Sequence, residues 1–164
     1  METLSELAEE KVLGVESEIT KTERILFDEI EFERRFELEA LPAPFESAFV
    51  LDHNGKIVQS GVYSRVLSAE DSKHFRALFE SEILADLRLD DARLGQRRHY
   101  HGNYGGRPML FSYMRRFSGG RIYFLVLAAD LSYLVGSVFP QFFGVRSTQL
   151  YQVVDQDGAV IYGY

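Results

Sequence analysis

Two histidines, His99 and His101, sit one residue apart in a short strand-like run from Arg98. Alternate residues of a strand point the same way, so the two imidazoles can meet one ligand. Such a pair suits a metal if Asp or Glu completes the shell. It equally suits a small acid, whose binding would then change near the histidine pKa of about 6.5. No third ligand stands at metal spacing, so no metal is expected, and the pair otherwise reads as exposed strand-end side chains. Just beyond, Tyr100, Tyr104, Gly105, Gly106 and Arg107 form an aromatic, glycine-rich segment. Such segments can fold over a pocket or serve as plain connectors.

Met109, Phe111, Tyr113 and Arg115 alternate along the next strand and share one face. An inward Arg115 beside Tyr113 would suit a carboxylate, because guanidinium holds one through two parallel hydrogen bonds. The alternative places Arg115 and Arg116 at the solvated end of the strand. The candidate ligand-binding set is therefore Tyr100, His101, Tyr104, Arg107, Phe111, Tyr113 and Arg115. No nucleophile elbow, phosphate loop or zinc-protease motif is present, and no cofactor is expected. The segment Gly102-Asn103-Tyr104-Gly105-Gly106 lacks the Lys and Ser/Thr of a phosphate loop.

The elements that must position these residues follow from periodicity. Residues 2–37 read as one long helix, rich in Glu, Lys, Arg, Leu and Ala. Ala8, Val12, Val15, Ile19, Thr22 and Leu26 follow the alternating four-and-three spacing of a coiled-coil seam. The helix either lies along its own domain or also pairs with a second copy through Val12, Val15 and Ile19. Pro42 and Pro44 end it. A hairpin over 47–52 and 56–60 follows, then a helix capped by Ser68 and running to about 84. Its buried stripe is Phe75, Leu78, Phe79 and Ile83. Residues 85–96 are charged, and read as loop or short helix. Strands at Arg98–His101, Met109–Phe117 and Ile122–Ala129 come next, the last continuously apolar and hence central and covered on both faces. Asp130 caps a helix to about Val138, which Pro140 and Gly144 disrupt. Five strands split two and three with helices between give an α+β fold on an antiparallel sheet.

The segment Val50-Leu51-Asp52-His53-Asn54-Gly55-Lys56-Ile57-Val58 is echoed by Val153-Val154-Asp155-Gln156-Asp157-Gly158-Ala159-Val160-Ile161. Each copy has the apolar run, Asp, turn glycine and second apolar run of a tight hairpin. The second copy either adds an edge to the first sheet or opens a second module that is cut short.

This order resembles the Cache family, the PAS-like extracytoplasmic sensor domains of bacterial receptors. The points of likeness are the long helix ahead of Phe49–Val58, and the strand Tyr123-Phe124-Leu125-Val126-Leu127-Ala128-Ala129 running into Asp130-Leu131-Ser132-Tyr133-Leu134. A second such hairpin at Tyr151–Tyr162 is similar to the opening of the second module in double-Cache proteins. The resemblance implies a PAS-like five-stranded sheet with a long N-terminal helix at 1–37, a sensor module at 38–146 and the second hairpin at 147–164. It implies a non-catalytic, ligand-sensing, periplasmic part of a transmembrane histidine kinase, chemoreceptor or cyclic-dinucleotide enzyme, signalling through the long helix. Flanking transmembrane segments, a small-molecule ligand such as a carboxylate, and self-association through that helix follow from it. Amino-acid-binding relatives carry an Asp shortly before the Asp-Leu-Ser turn. Here that stretch is Val126, Leu127, Ala128 and Ala129, so an amino-acid ligand is not expected. The alternatives are a cytoplasmic PAS- or GAF-like regulatory domain and a small α+β enzyme.

Composition excludes several classes. The 164 residues are long enough for one substantial core, and 46% of them are hydrophobic. The absence of cysteine removes disulfides, thiolate metal sites and a cysteine nucleophile. The net charge of −7 argues against nucleic acid, which requires clustered cations on a basic surface. No run reaches the roughly 18 apolar residues needed to span a bilayer, and a soluble piece of a membrane receptor would read the same way.

Overall fold

The computed structural model describes residues 21, 41, 44–62, 69–143, 152–154, 158 and 160–163. The chain folds around a five-stranded antiparallel sheet in the order β2-β1-β5-β4-β3. The strands are β1 Phe45–Asp52, β2 Ile57–Val62, β3 Arg97–Tyr104, β4 Arg107–Ser118 and β5 Arg121–Asp130. Between β2 and β3 the chain crosses one face of the sheet as a continuous helical run. This comprises α1 Ala69–Leu78, a π-helical turn Phe79–Ile83 and α2 Leu84–Asp86, followed by a 3-10 turn at Leu89–Asp91. This is the α+β fold on a five-stranded antiparallel sheet that the sequence predicts. The long helix over 1–37, its seam and Ser68 lie outside the described residues.

β5 is the central strand, and every residue from Tyr123 to Ala129 is buried. Phe124, Val126 and Ala128 face the helices, with Phe49 and Leu51 of β1 and Met109, Phe111 and Tyr113 of β4. Tyr123, Leu125, Leu127 and Ala129 belong to a second cluster on the other face, with Val50 and Leu41. On the helical side, Phe49 stacks on Phe79 at 3.9 Å between ring centroids and 9° between planes. Each buried side chain of this size contributes about 1.5–3 kcal/mol.

The π turn follows from the spacing of the stripe. Phe75, Phe79, Ile83 and Leu87 recur every fourth residue and are all buried. In a helix of 3.6 residues per turn, a strict four-residue spacing drifts about 40° per step. One wider turn, in which the Leu84 N–H donates to the Phe79 carbonyl, brings the stripe back onto the sheet.

The same device governs the helix after β5. Its parts are α3 Leu131–Tyr133, a π turn Leu134–Val138 and α4 Phe139–Phe143. Leu131, Leu134 and Phe139 form a buried satellite cluster. Leu134 and Phe139 are five residues apart, and the Phe139 N–H donates to the Leu134 carbonyl. The helix therefore continues through Pro140, where the sequence reading placed a disruption. Proline has no N–H for the carbonyl one turn back, and the widened turn lies where that bond is missing.

Two further departures concern strands. β3 runs to Tyr104 rather than stopping at His101, and Gly105-Gly106 form a two-residue turn with φ of +59° and +77°. The glycine-rich segment is thus the hairpin turn that joins β3 to β4. Glycine is a poor strand former, and a Cβ at Gly102 would lie 2.5 Å from the Tyr104 ring and 3.0 Å from the Tyr100 ring. The two rings cover the glycine, which offsets its poor strand propensity.

The second hairpin, β6 Gln152–Val154 and β7 Val160–Gly163, forms a two-stranded sheet of its own. Its register copies that of β1 and β2. Phe49↔Ser60, Val50↔Gln59 and Leu51↔Ile57 correspond to Gln152↔Gly163, Val153↔Tyr162 and Val154↔Val160, with the bulge at the same step. Gly55 and Gly158 take the same left-handed backbone, at φ +78° and +84°. Val153 packs against the satellite cluster beneath α3 and α4.

Candidate functional site

The end of the sheet at the β3–β4 turn carries an open cleft of about 180 Å³ beside α1. Asp71, His74 and Leu78 line it from the helix, and Tyr104, Arg107 and Met109 from the hairpin. The helix supplies its three residues at three- and four-residue spacing, on one edge of the buried stripe.

Arg107 is the centre of an ionic group under this cleft. Its Nη2 donates to Glu46 Oε1 at 2.9 Å and Oε2 at 3.3 Å, and to Asp130 Oδ2 at 3.0 Å. The Glu46 side chain is only 10% exposed, whereas that of Arg107 is 40% exposed. Burial pushes the Glu46 carboxyl above its usual range, against the pull of Arg107 and with some help from the Asp130 charge. Burial opposes the charge on Arg107, but the two carboxylates more than compensate and hold it above its ordinary value. Asp130 has a second duty: its Oδ1 accepts the Ser132 N–H at 2.8 Å and caps α3. The cap expected from sequence is present, and the same carboxylate also meets Arg107.

Tyr104 anchors the other side. Its hydroxyl donates to Asp86 Oδ2 at 2.6 Å and lies 3.4 Å from the Tyr100 hydroxyl. Burial first, and then the bond to Asp86, push the Tyr104 hydroxyl far up, so it stays a neutral donor. The Tyr104 ring meets Phe111 edge-on at 5.8 Å and 77°.

The candidate residues are thus divided. Tyr100, Tyr104 and Arg107 come together at the β3–β4 turn. Phe111 is fully buried beneath Tyr104 as core rather than lining. His101 points to the opposite face of the sheet, across from Leu110, as strand alternation requires. His99 is exposed on that same face. No group of three metal-ligating side chains occurs among the described residues. Tyr113 and Arg115 lie at the far end of the β3–β4 ribbon. Tyr113 is 3% exposed, and Arg115 sits over the Phe124 ring at 5.8 Å from its centroid.

Sequence reasoning missed Glu46, Asp71, His74 and Asp86. Glu46 carried a signal: it is a single carboxylate in the otherwise uncharged run Phe45–Leu51, and a charge is rarely buried without a partner. The other three sit on exposed helix positions where polar residues are ordinary.

No helix among the described residues is long and apolar enough to cross a membrane. No protein-family model matches the chain, and no curated protein matches it either. Among solved structures, it is similar to the PAS domain of an HTR-like protein from Haloarcula marismortui. That crystal structure is 18% identical, with a TM-score of 0.34, over 54% of this chain and 87% of the other.

Proposed function

We propose that this chain is a non-catalytic ligand-sensing domain, the extracytoplasmic part of a transmembrane signalling receptor. The observation that carries the reading is the placement of Arg107. It borders a cleft and bridges the sheet, through Glu46, to the cap of the following helix, through Asp130. A small carboxylate in the cleft would take hydrogen bonds from the same guanidinium. It would compete with Asp130 and so loosen the start of α3. Binding in this way reaches the satellite cluster and Val153 of the second hairpin. The N-terminal seam at Val12, Val15 and Ile19 supplies the dimer contact and the output helix. The cleft is smaller than the several hundred Å³ typical of drug-sized ligands, which favours a small metabolite.

A thermal-shift screen of carboxylates, amines and amino acids tests this. A small carboxylate should raise Tm in the parent protein and lose that effect in Arg107→Gln. A ligand that stabilises both proteins equally would remove the cleft from the mechanism. A screen without any stabilising compound would leave a relay that binds nothing.

A further inference from the structure

The far end of the β3–β4 ribbon gathers a second set of cations. Between residues 88 and 121 the sequence has eight arginines, Arg107 of the cleft among them, no lysine and two aspartates, within a chain of net charge −7. This local excess is held in a defined shape. Arg88 takes a left-handed backbone at φ +46°, which turns the chain into the 3-10 segment Leu89–Asp91. The Asp91 N–H donates to the Arg88 carbonyl at 3.0 Å, and buried Leu89 and Ala92 pin the turn to the core. Arg98 Nη1 donates to the Asp91 carbonyl at 3.1 Å. In the strand register Arg98 is opposite Tyr113, and Arg115 is the next residue of β4 on the same face. The Arg115 carbonyl accepts the Gly95 N–H at 2.8 Å, which closes the segment over the ribbon.

Arg115 Nε is shielded from solvent and has no hydrogen-bond partner among the described residues. A buried donor without a protein partner is costly, and an acceptor oxygen brought by a ligand would satisfy it. Neither Arg88, Arg98 nor Arg115 forms an ion pair among the described residues. The Asp90 and Asp91 side chains are exposed. Burial raises the Tyr113 hydroxyl above its usual range, with Arg98 and Arg88 opposing and Asp91 assisting, so a neutral O–H sits within this group of charges.

We propose that this end of the ribbon binds a small oxyanion, a carboxylate or a phosphate, with Arg115 and Arg98 as the principal donors and Arg88 as a third cation. Guanidinium suits both ligands because its N–H groups match two oxygens at once. The site is independent of the Arg107 cleft. Arg98 and Tyr104 are six residues apart on β3, roughly 20 Å along the strand.

The experiment is calorimetric titration of the full chain with sodium phosphate and, separately, sodium acetate, at constant chloride. Saturable binding is expected, with one anion per chain in Arg107→Gln, where the cleft has lost its guanidinium. Arg115→Gln and Arg98→Gln should each weaken it by about tenfold to a hundredfold. In the Arg107→Gln background the same two substitutions should weaken binding by the same factor. Arg115→Lys keeps the charge but loses the Nε donor, and should also weaken binding. Arg98 lies on the edge strand, so its variant decides the matter if Arg115→Gln does not fold. Tighter phosphate would identify a phosphoryl ligand and tighter acetate a carboxylate; either supports the site. The proposal falls if neither anion saturates, if Arg98→Gln binds as well as the parent, or if Arg107→Gln alone abolishes binding.

Discussion

At the scale of single residues, Glu46 and Arg107 set the chemistry of the cleft. The two are one unit: a carboxylate almost removed from water, and the cation that makes its burial tolerable. Arg107→Gln should cost about 1–3 kcal/mol in urea unfolding, less than a fully buried pair would cost because Arg107 is partly solvated. The pH dependence has a definite sign. Glu46 has a folded pKa above its ordinary value of 4.5, so the folded protein holds that proton more firmly than the unfolded chain. Its contribution is full below 4.5 and is lost as pH rises through the raised value. Glu46→Gln should therefore lose less Tm than the parent protein as pH rises above 4.5. An identical slope in both proteins would show that another group governs that window.

At the scale of elements, the tyrosine pair over Gly102 is the joint between the hairpin and the helices. A methyl group at this position meets the Tyr104 ring, which cannot move without breaking its bond to Asp86. Gly102→Ala should cost about 1–3 kcal/mol of stability, with the Tyr104 ring resonance displaced in NMR spectra. A silent substitution would mean that the rings are free to part. This joint also shows how far the sequence could be read. β1, β2, β4, β5 and the Asp130 cap were legible because each is a local pattern of alternation, turn glycine or capping oxygen. The extent of β3 was not, because what tolerates Gly102 is cover from two rings in the folded state. The helix beyond Pro140 was hidden for a similar reason. A five-residue gap between Leu134 and Phe139 becomes a helical repeat only when a π turn is admitted. The site was legible in half: Tyr104 and Arg107 stood out by type. Glu46 and Asp130 come from strands far apart in sequence, and only the order β2-β1-β5-β4-β3 brings them to one arginine.

At the scale of the whole molecule, the chain contains two hairpins with the same register, the same bulge and the same turn backbone. Only β1 pairs with β5, whereas β6 has no partner but β7 among the described residues. While the chain is finding its native state, β5 is therefore offered two templates of nearly identical shape. Docking on the wrong one would yield a kinetically trapped topology. The difference between them lies at one position in particular. Phe49 of β1 stacks on Phe79 in the core, and its counterpart in β6 is Gln152, an amide that cannot fill that place. Gln152→Phe removes this distinction. It should add a slow refolding phase, or a swapped dimer at high concentration, while leaving the unfolding rate of the correctly folded sheet nearly unchanged. Single-phase refolding in that variant would show that chain order alone directs β5 to β1. A slow phase or a swapped dimer would make the residue at 152 a guard against mispairing, acting before any ligand or partner is met.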